Sequence, residues 1–275
     1  MVYTPHENGR EQLILSDTGR NVEVNYFGSG DNPFVFLGGS GMHPKDYSSL
    51  FAALVQEEPK LQIIAPCGPG SGNSSPLLKG EPIADWPVQL LEQTGVTAAD
   101  EVSVRIVGHS RGGIEALHAA AKFEKLQVLT LSSPIENISD DSFNWLSNLI
   151  LDRAISNCYA FVPAMLHFDF GALANLTSNS LTESLKFGMT SPASAHDNQA
   201  AITQLRELPI AARRDLFDNN RAQAVFGNRD TAVSRPQDRS WPGVHMTGGG
   251  HNFLIEGDIR RRARCIINLL YPKQI

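Results

Sequence analysis

The sequence predicts an α/β fold in which a mostly parallel sheet is covered by helices on both faces. Two observations carry this expectation. Short apolar runs bounded by turn residues, FVFL (34–37), LQIIA (61–65), VSVRIV (102–107) and LQVLTL (126–131), suit strands buried on both faces. Between them lie segments of helical character at 47–55, 83–93 and 112–123. Alternation of this kind joins parallel neighbours through helical crossovers.

Taken in order, Gln12 to Phe27 holds two short alternating runs, LILS and NVEVNYF, joined by Asp17-Thr18-Gly19-Arg20, which reads as a β-hairpin. The strands and helices above follow, with Pro87 expected to break or kink the first part of the 83–93 helix. After Leu131 the alternation stops. About 90 residues precede the next strand, AQAVF (222–226), far more than one crossover needs. Helix-compatible spacing in SFNWLSNLILDRAI and ALANLTSNSLTESLKF makes this stretch a helical insertion. The expected organisation is a core of residues 1–135 and 216–275 with a cap at 136–215. A strand near 243–246, three glycines at 248–250 and a helix from about Asp258 to Leu270 close the chain.

Composition limits the function. Hydrophobic residues at 41% and charged residues at 19% provide for a packed core. A net charge of -6 disfavours nucleic acid as a partner. The basic run Arg260, Arg261, Arg262 and Arg264 reads as the solvated face of the last helix. The N-terminal residues lack a signal-peptide pattern, and no apolar run approaches the ~20 residues that cross a bilayer. Cys67, Cys158 and Cys265 are widely spaced, which suggests reduced thiols in a cytoplasmic protein and no zinc site. The expectation is no metal and no organic cofactor, a small-molecule substrate, and no nucleic-acid or membrane partner. Oligomeric state is not encoded in any feature of the sequence.

The sharpest chemical signal is Gly108-His109-Ser110-Arg111-Gly112-Gly113, directly after one apolar strand and directly before a helical run. This is the G-x-S-x-G elbow in its strand–turn–helix context. At this point the chain resembles the α/β-hydrolase superfamily, and the resemblance extends over nearly all of it from about Gln12. It implies an eight-stranded, mostly parallel sheet and a triad in the order serine, acid, histidine. Gly227-Asn228-Arg229-Asp230, after AQAVF, matches the family's G-x-x-D acid segment. Gly249-Gly250-His251, after the last strand, matches the position of its base. The resemblance thus assigns Ser110 as nucleophile, Asp230 as acid and His251 as base, with Glu136 the rival acid. A serine hydroxyl needs such a base to become nucleophilic, and the acid fixes the tautomer of the histidine.

Oxyanion stabilisation would come from the backbone N–H groups of Arg111 and of Ser40. Ser40 lies in Gly38-Gly39-Ser40-Gly41, which resembles the family's His-Gly-x segment except that Gly38 stands where histidine is usual. Arg111 could hold a substrate carboxylate or pair with a nearby acid. His109 reads as a packed support and His43, beside the oxyanion loop, as an open case. Trp145, Phe161 and Phe168 of the cap are candidate substrate contacts. The activity implied is hydrolysis of an ester or thioester through an acyl-Ser110 intermediate. A cofactor-free lyase, a C–C bond hydrolase and a non-catalytic ligand receptor are the alternatives that the same fold supports.

Overall fold

The structure is a computed structural model and describes residues 9–15, 18–39, 42–77, 80–83, 85–96, 104–136, 207–230, 233, 241–250, 253–255 and 257–272. Within them the chain runs β1 (Gly9–Ile14), β2 (Asn21–Phe27), β3 (Asn32–Leu37), α1 (Ser48–Glu57), β4 (Leu61–Pro66), α2 (Asp85–Gln93), β5 (Val104–His109), α3 (Arg111–Lys122), β6 (Leu126–Leu131), α4 (Ile210–Asp218), β7 (Ala222–Gly227), β8 (Val244–Thr247) and α5 (Ile259–Leu270). A short 3-10 turn, Pro44–Tyr47, leads into α1.

One eight-stranded sheet has the order β1-β2-β4-β3-β5-β6-β7-β8. The entry hairpin pairs antiparallel, with Ile14 opposite Asn21, and β2 meets β4 antiparallel. All other pairings are parallel. Side-chain alternation divides the strands between two cores. Val35, Leu37 and Ile106 face a cluster that includes Trp86 and Leu90 of α2, Leu117 of α3 and Phe217 of α4. Phe34, Phe36 and Val107 face one that includes Phe51 of α1 and Ile266 of α5. The sheet is therefore covered on both faces, as the apolar runs require. From β3 the chain steps outward to β4, then crosses back over β3 to β5. That reversal puts a crevice at the carboxyl ends of β3 and β5, where open α/β sheets bind ligands.

Two expectations change. Pro87 does not break α2, because it is the third residue of the helix, where a first-turn N–H has no intrahelical partner to lose. The expected cap boundary at 215 falls inside α4, which packs on the core. Phe217 makes an edge-on contact with Trp241 at 5.1 Å, and the buried Arg213 donates from Nη1 to the carbonyls of Ile135 and Glu136, both at 2.8 Å. Most of the expected cap, with Trp145, Phe161 and Phe168, lies outside the described residues. Among the described residues, no helix is long and apolar enough to cross a membrane.

If α4 belongs to the core, Phe217→Ala should lower unfolding stability by about 3–5 kcal/mol, the usual cost of emptying a buried phenylalanine site. Urea denaturation should show the midpoint falling at unchanged slope.

Candidate active site

The elbow begins with the buried strand β5, whose last residues are Gly108 and His109. Ser110 follows at φ 52°, ψ -117°, then α3 starts at Arg111. Positive φ in a serine is strained, and the neighbouring contacts hold it there. The Ser110 amide donates to the Leu131 carbonyl at 2.9 Å, and the Gly113 amide donates to the Ser110 carbonyl at 3.0 Å. Glycine is required on either side by close approach. A Cβ on Gly108 would lie 2.3 Å from the Gly112 carbonyl oxygen, and one on Gly112 would lie 2.2 Å from that of Leu37. The hydroxyl is thereby presented at the N-terminus of α3, where helix geometry directs backbone N–H groups outward and favours negative charge.

The segment that carries Asp230 is joined to the one that leads to residue 251. The amide of Asn228 donates to the Thr247 carbonyl at 2.8 Å, and that of Arg229 to the Gly249 carbonyl at 2.9 Å. The Gly249 amide returns a bond to Asn228 Oδ1 at 3.2 Å. Asp230 closes its own turn by donating its amide to the Gly227 carbonyl, and its Oδ1 accepts from the Val233 amide at 2.9 Å. The structure thus brings the Asp230 turn against the Gly248–Gly250 loop. His251 and Ser40 lie outside the described residues.

Comparison with known proteins agrees with this fold. The model of the alpha/beta hydrolase family matches residues 34–261. The chain belongs to that family. No curated protein sequence matches the hydrolase. Among solved structures it is similar to a thermophilic esterase from Thermogutta terrifontis, at 16% identity and TM-score 0.62 over 95% of this chain and 98% of that one. It is similar to the thioesterase domain from the curacin biosynthetic pathway, at 18% identity and TM-score 0.57, covering 94% and 100%. A variant of the meta-cleavage product hydrolase CumD aligns at 16% identity and TM-score 0.60, covering 94% and 97%. At these identities the likeness shows the fold alone.

The remaining candidates of the hydrolase sort by their partners. Arg111 is buried, and its Nε lies 3.1 Å from Glu115 Oε1 one helical turn on, with the guanidinium against Gly68. An acid therefore already compensates its charge. His109 is buried, with Nδ1 2.7 Å from the Tyr47 hydroxyl. Glu136, the rival acid, follows β6 and has its carbonyl held by Arg213.

His43 joins a cluster that spacing along the sequence gave no reason to expect. Ligand atoms of Glu23, His43 and Cys67 lie within 4.8 Å of one another. Their hydrogen bonds do not suit a metal. The Lys45 amide donates to His43 Nδ1 at 3.1 Å, so the neutral ring carries its proton on Nε2, which donates to Glu23 Oε1 at 3.2 Å. A metal would need that nitrogen's lone pair. Burial, and then the charge of Glu23, push the Cys67 thiol up to about 12, so it stays protonated. Glu23 also accepts from the Asn73 amide and side chain, at 3.0 and 2.9 Å. The cluster is a carboxylate with saturated acceptors that ties together β2, the turn before α1 and the glycine-rich loop after β4.

Two residues with work near the site were missed. Glu23 looked like an alternating strand residue, and nothing in sequence separates it from other strand acids. Arg262 looked like part of a solvated basic run, yet it donates to the Gly248 carbonyl at 3.2 Å and lies over Phe253 at 5.6 Å. Its neighbour Ala263 is buried, which marks residue 262 as bordering the apolar face of α5.

Glu23 has a definite pH signature. Burial raises its pKa, but hydrogen bonds from Asn73 and His43 and the charges of Arg10 and His43 outweigh burial and hold it below the ordinary value. A depressed carboxylate contributes stability that is present above the unfolded value of about 4.3 and is lost as pH falls through the folded value. Glu23→Gln should therefore lower the melting temperature at pH 7 and flatten its decline between pH 5 and pH 3. A parallel decline in both proteins would refute the hub.

Proposed function

We propose that the hydrolase cleaves an ester or thioester of a small organic substrate through an acyl-Ser110 intermediate, with Asp230 as the acid and His251 as the base. The observation that carries the reading is the strained elbow. Ser110 stands at positive φ between β5 and the N-terminus of α3, on the same carboxyl edge of the sheet as the clamped Asp230 turn and the Gly248–Gly250 loop. The oxyanion would be held by the N–H groups of Arg111 and Ser40.

In this reading Ser110 Oγ bonds to the acyl carbon as its proton passes to His251, and the carbonyl electrons move to the oxyanion. Collapse breaks the bond to the alcohol or thiol, which takes the proton from His251. Water then repeats the sequence and releases the carboxylate and free Ser110. Asp230 holds the imidazole in the tautomer that accepts the serine proton and stabilises the imidazolium that follows. Trp145, Phe161 and Phe168 would meet the substrate, with the cap selecting it. Arg111 and His43 serve mainly as supports, because each already has a protein partner. The free thiols of Cys67 and Cys265 fit a reducing, cytoplasmic setting.

Asp230→Asn should lower turnover by about 10⁴, the scale of an analogous triad change, while Glu136→Gln does far less. Steady-state rates on a panel of activated esters and thioesters decide this, and equal losses would reject Asp230 as the acid.

The covalent step has its own test. Ser110→Ala should abolish nearly all turnover while leaving substrate binding intact, and rapid quenching should recover an acyl adduct on the Ser110 peptide by mass spectrometry. Substantial turnover by Ser110→Ala alongside a dead His251→Ala would replace this chemistry with base-catalysed lysis, without an acyl-enzyme.

A further inference from the structure

We infer that the Tyr47 hydroxyl and the His109 imidazole form a brace that fixes the loop after β3 against Ser110, which makes Tyr47 a positioning residue for the oxyanion hole. The inference rests on the acyl-serine reading above. A loop that begins Gly38-Gly39 has no side chain at its first two positions to anchor them, and glycine loses the most backbone freedom on ordering. Something else must hold it.

Two hydrogen bonds meet at the Tyr47 hydroxyl. The Gly39 amide donates to Tyr47 Oη at 3.0 Å, and Tyr47 Oη lies 2.7 Å from His109 Nδ1. An amide can only donate, so the hydroxyl accepts from Gly39, while its bond with Nδ1 takes the direction that the His109 tautomer sets. Tyr47 and His109 are 0% and 1% exposed, so water does not compete for these bonds. Tyr47 is itself held by ring contacts to Phe36 at 4.7 Å and to Phe51 at 5.9 Å.

Position 38 gives independent support. A Cβ on Gly38 would sit 3.4 Å from Tyr47 Cε2 and 3.9 Å from Tyr47 Oη. A side chain at 38 would start in ordinary van der Waals contact with the Tyr47 ring, so position 38 lies directly beside the brace. The loop also touches the elbow: a Cβ on Gly39 would lie 3.0 Å from His109 Nδ1 and 3.4 Å from Ser110 Cβ. Because the Gly39 N–H is engaged by Tyr47, the second oxyanion donor must be another amide, consistent with Ser40.

The test is the kinetics of a fluorophosphonate on the full-length protein, with mass detection at Ser110 and melting temperature alongside. Tyr47→Phe keeps the ring and deletes the hydroxyl. It should slow the maximal labelling rate roughly tenfold to hundredfold, less than deleting an oxyanion donor outright, with half-saturation unchanged within about twofold. His109→Asn, whose side-chain amide can accept or donate in place of Nδ1, should keep most of the rate. His109→Leu should match Tyr47→Phe, and the double variant Tyr47→Phe/His109→Leu should be no slower than either, as one unit requires. Wild-type labelling by Tyr47→Phe overturns the brace and leaves the acyl-serine reading standing, as does a lower melting temperature with no change in rate. Failure of the wild-type protein to label at Ser110 overturns that reading, and the brace with it.

Discussion

Ser110 occupies a backbone conformation that costs a non-glycine residue about 1–3 kcal/mol, and three neighbouring segments combine to keep it there. The Leu131 carbonyl at the end of β6 takes its amide. The Leu37 carbonyl at the end of β3 sits where a side chain on residue 112 would be. Ser133, just past β6, similarly crowds Gly113. None of these contacts exists unless β3, β5 and β6 lie side by side and parallel, with α3 drawn down onto them. The sheet order is thus a condition for the geometry of Ser110, and the burial of two apolar faces supplies the free energy that sustains the strain.

Much of this was legible because it depends on local chemistry. FVFL, LQIIA and LQVLTL could only be strands buried on both faces, and the glycines around Ser110 have few uses other than close backbone approach. The hairpin turn at 17–20 and a last helix from about Asp258 to Leu270 were equally plain, and the helix runs Ile259–Leu270. The error at Pro87 came from treating a first-turn proline as an interior one. The expected boundary at 215 meets α4 part-way along, just before its buried Leu216 and Phe217.

What stayed hidden is contact between residues distant in sequence. Glu23, His43 and Cys67 come from a strand, a turn and a strand end, and the antiparallel pairing of β2 with β4 sets Glu23 beside Cys67. Arg213 reaches the Ile135 carbonyl from 78 residues away, and nothing at either position announces the pairing. Charged side chains that serve a backbone carbonyl have the same sequence appearance as those that face water, so Arg262 could not be separated from Arg260 or Arg261 by composition.

The two halves of the site are held by different kinds of bond, and this bears on how the family pattern can vary. The Asp230 turn and the Gly248–Gly250 loop are joined chiefly by backbone amides and carbonyls, which tolerate change in most side chains provided the glycines remain. The loop and turn after β3 are met by side chains: Tyr47 and His109 on one flank, Glu23 and His43 on the other. A backbone clamp keeps its geometry whatever residues lie nearby, so G-x-x-D and G-G-H survive intact here. A side-chain brace can be rebuilt from different residues so long as the same volume is filled and the same donor is met. The departure at Gly38 falls in the half of the site where physical chemistry permits such an exchange.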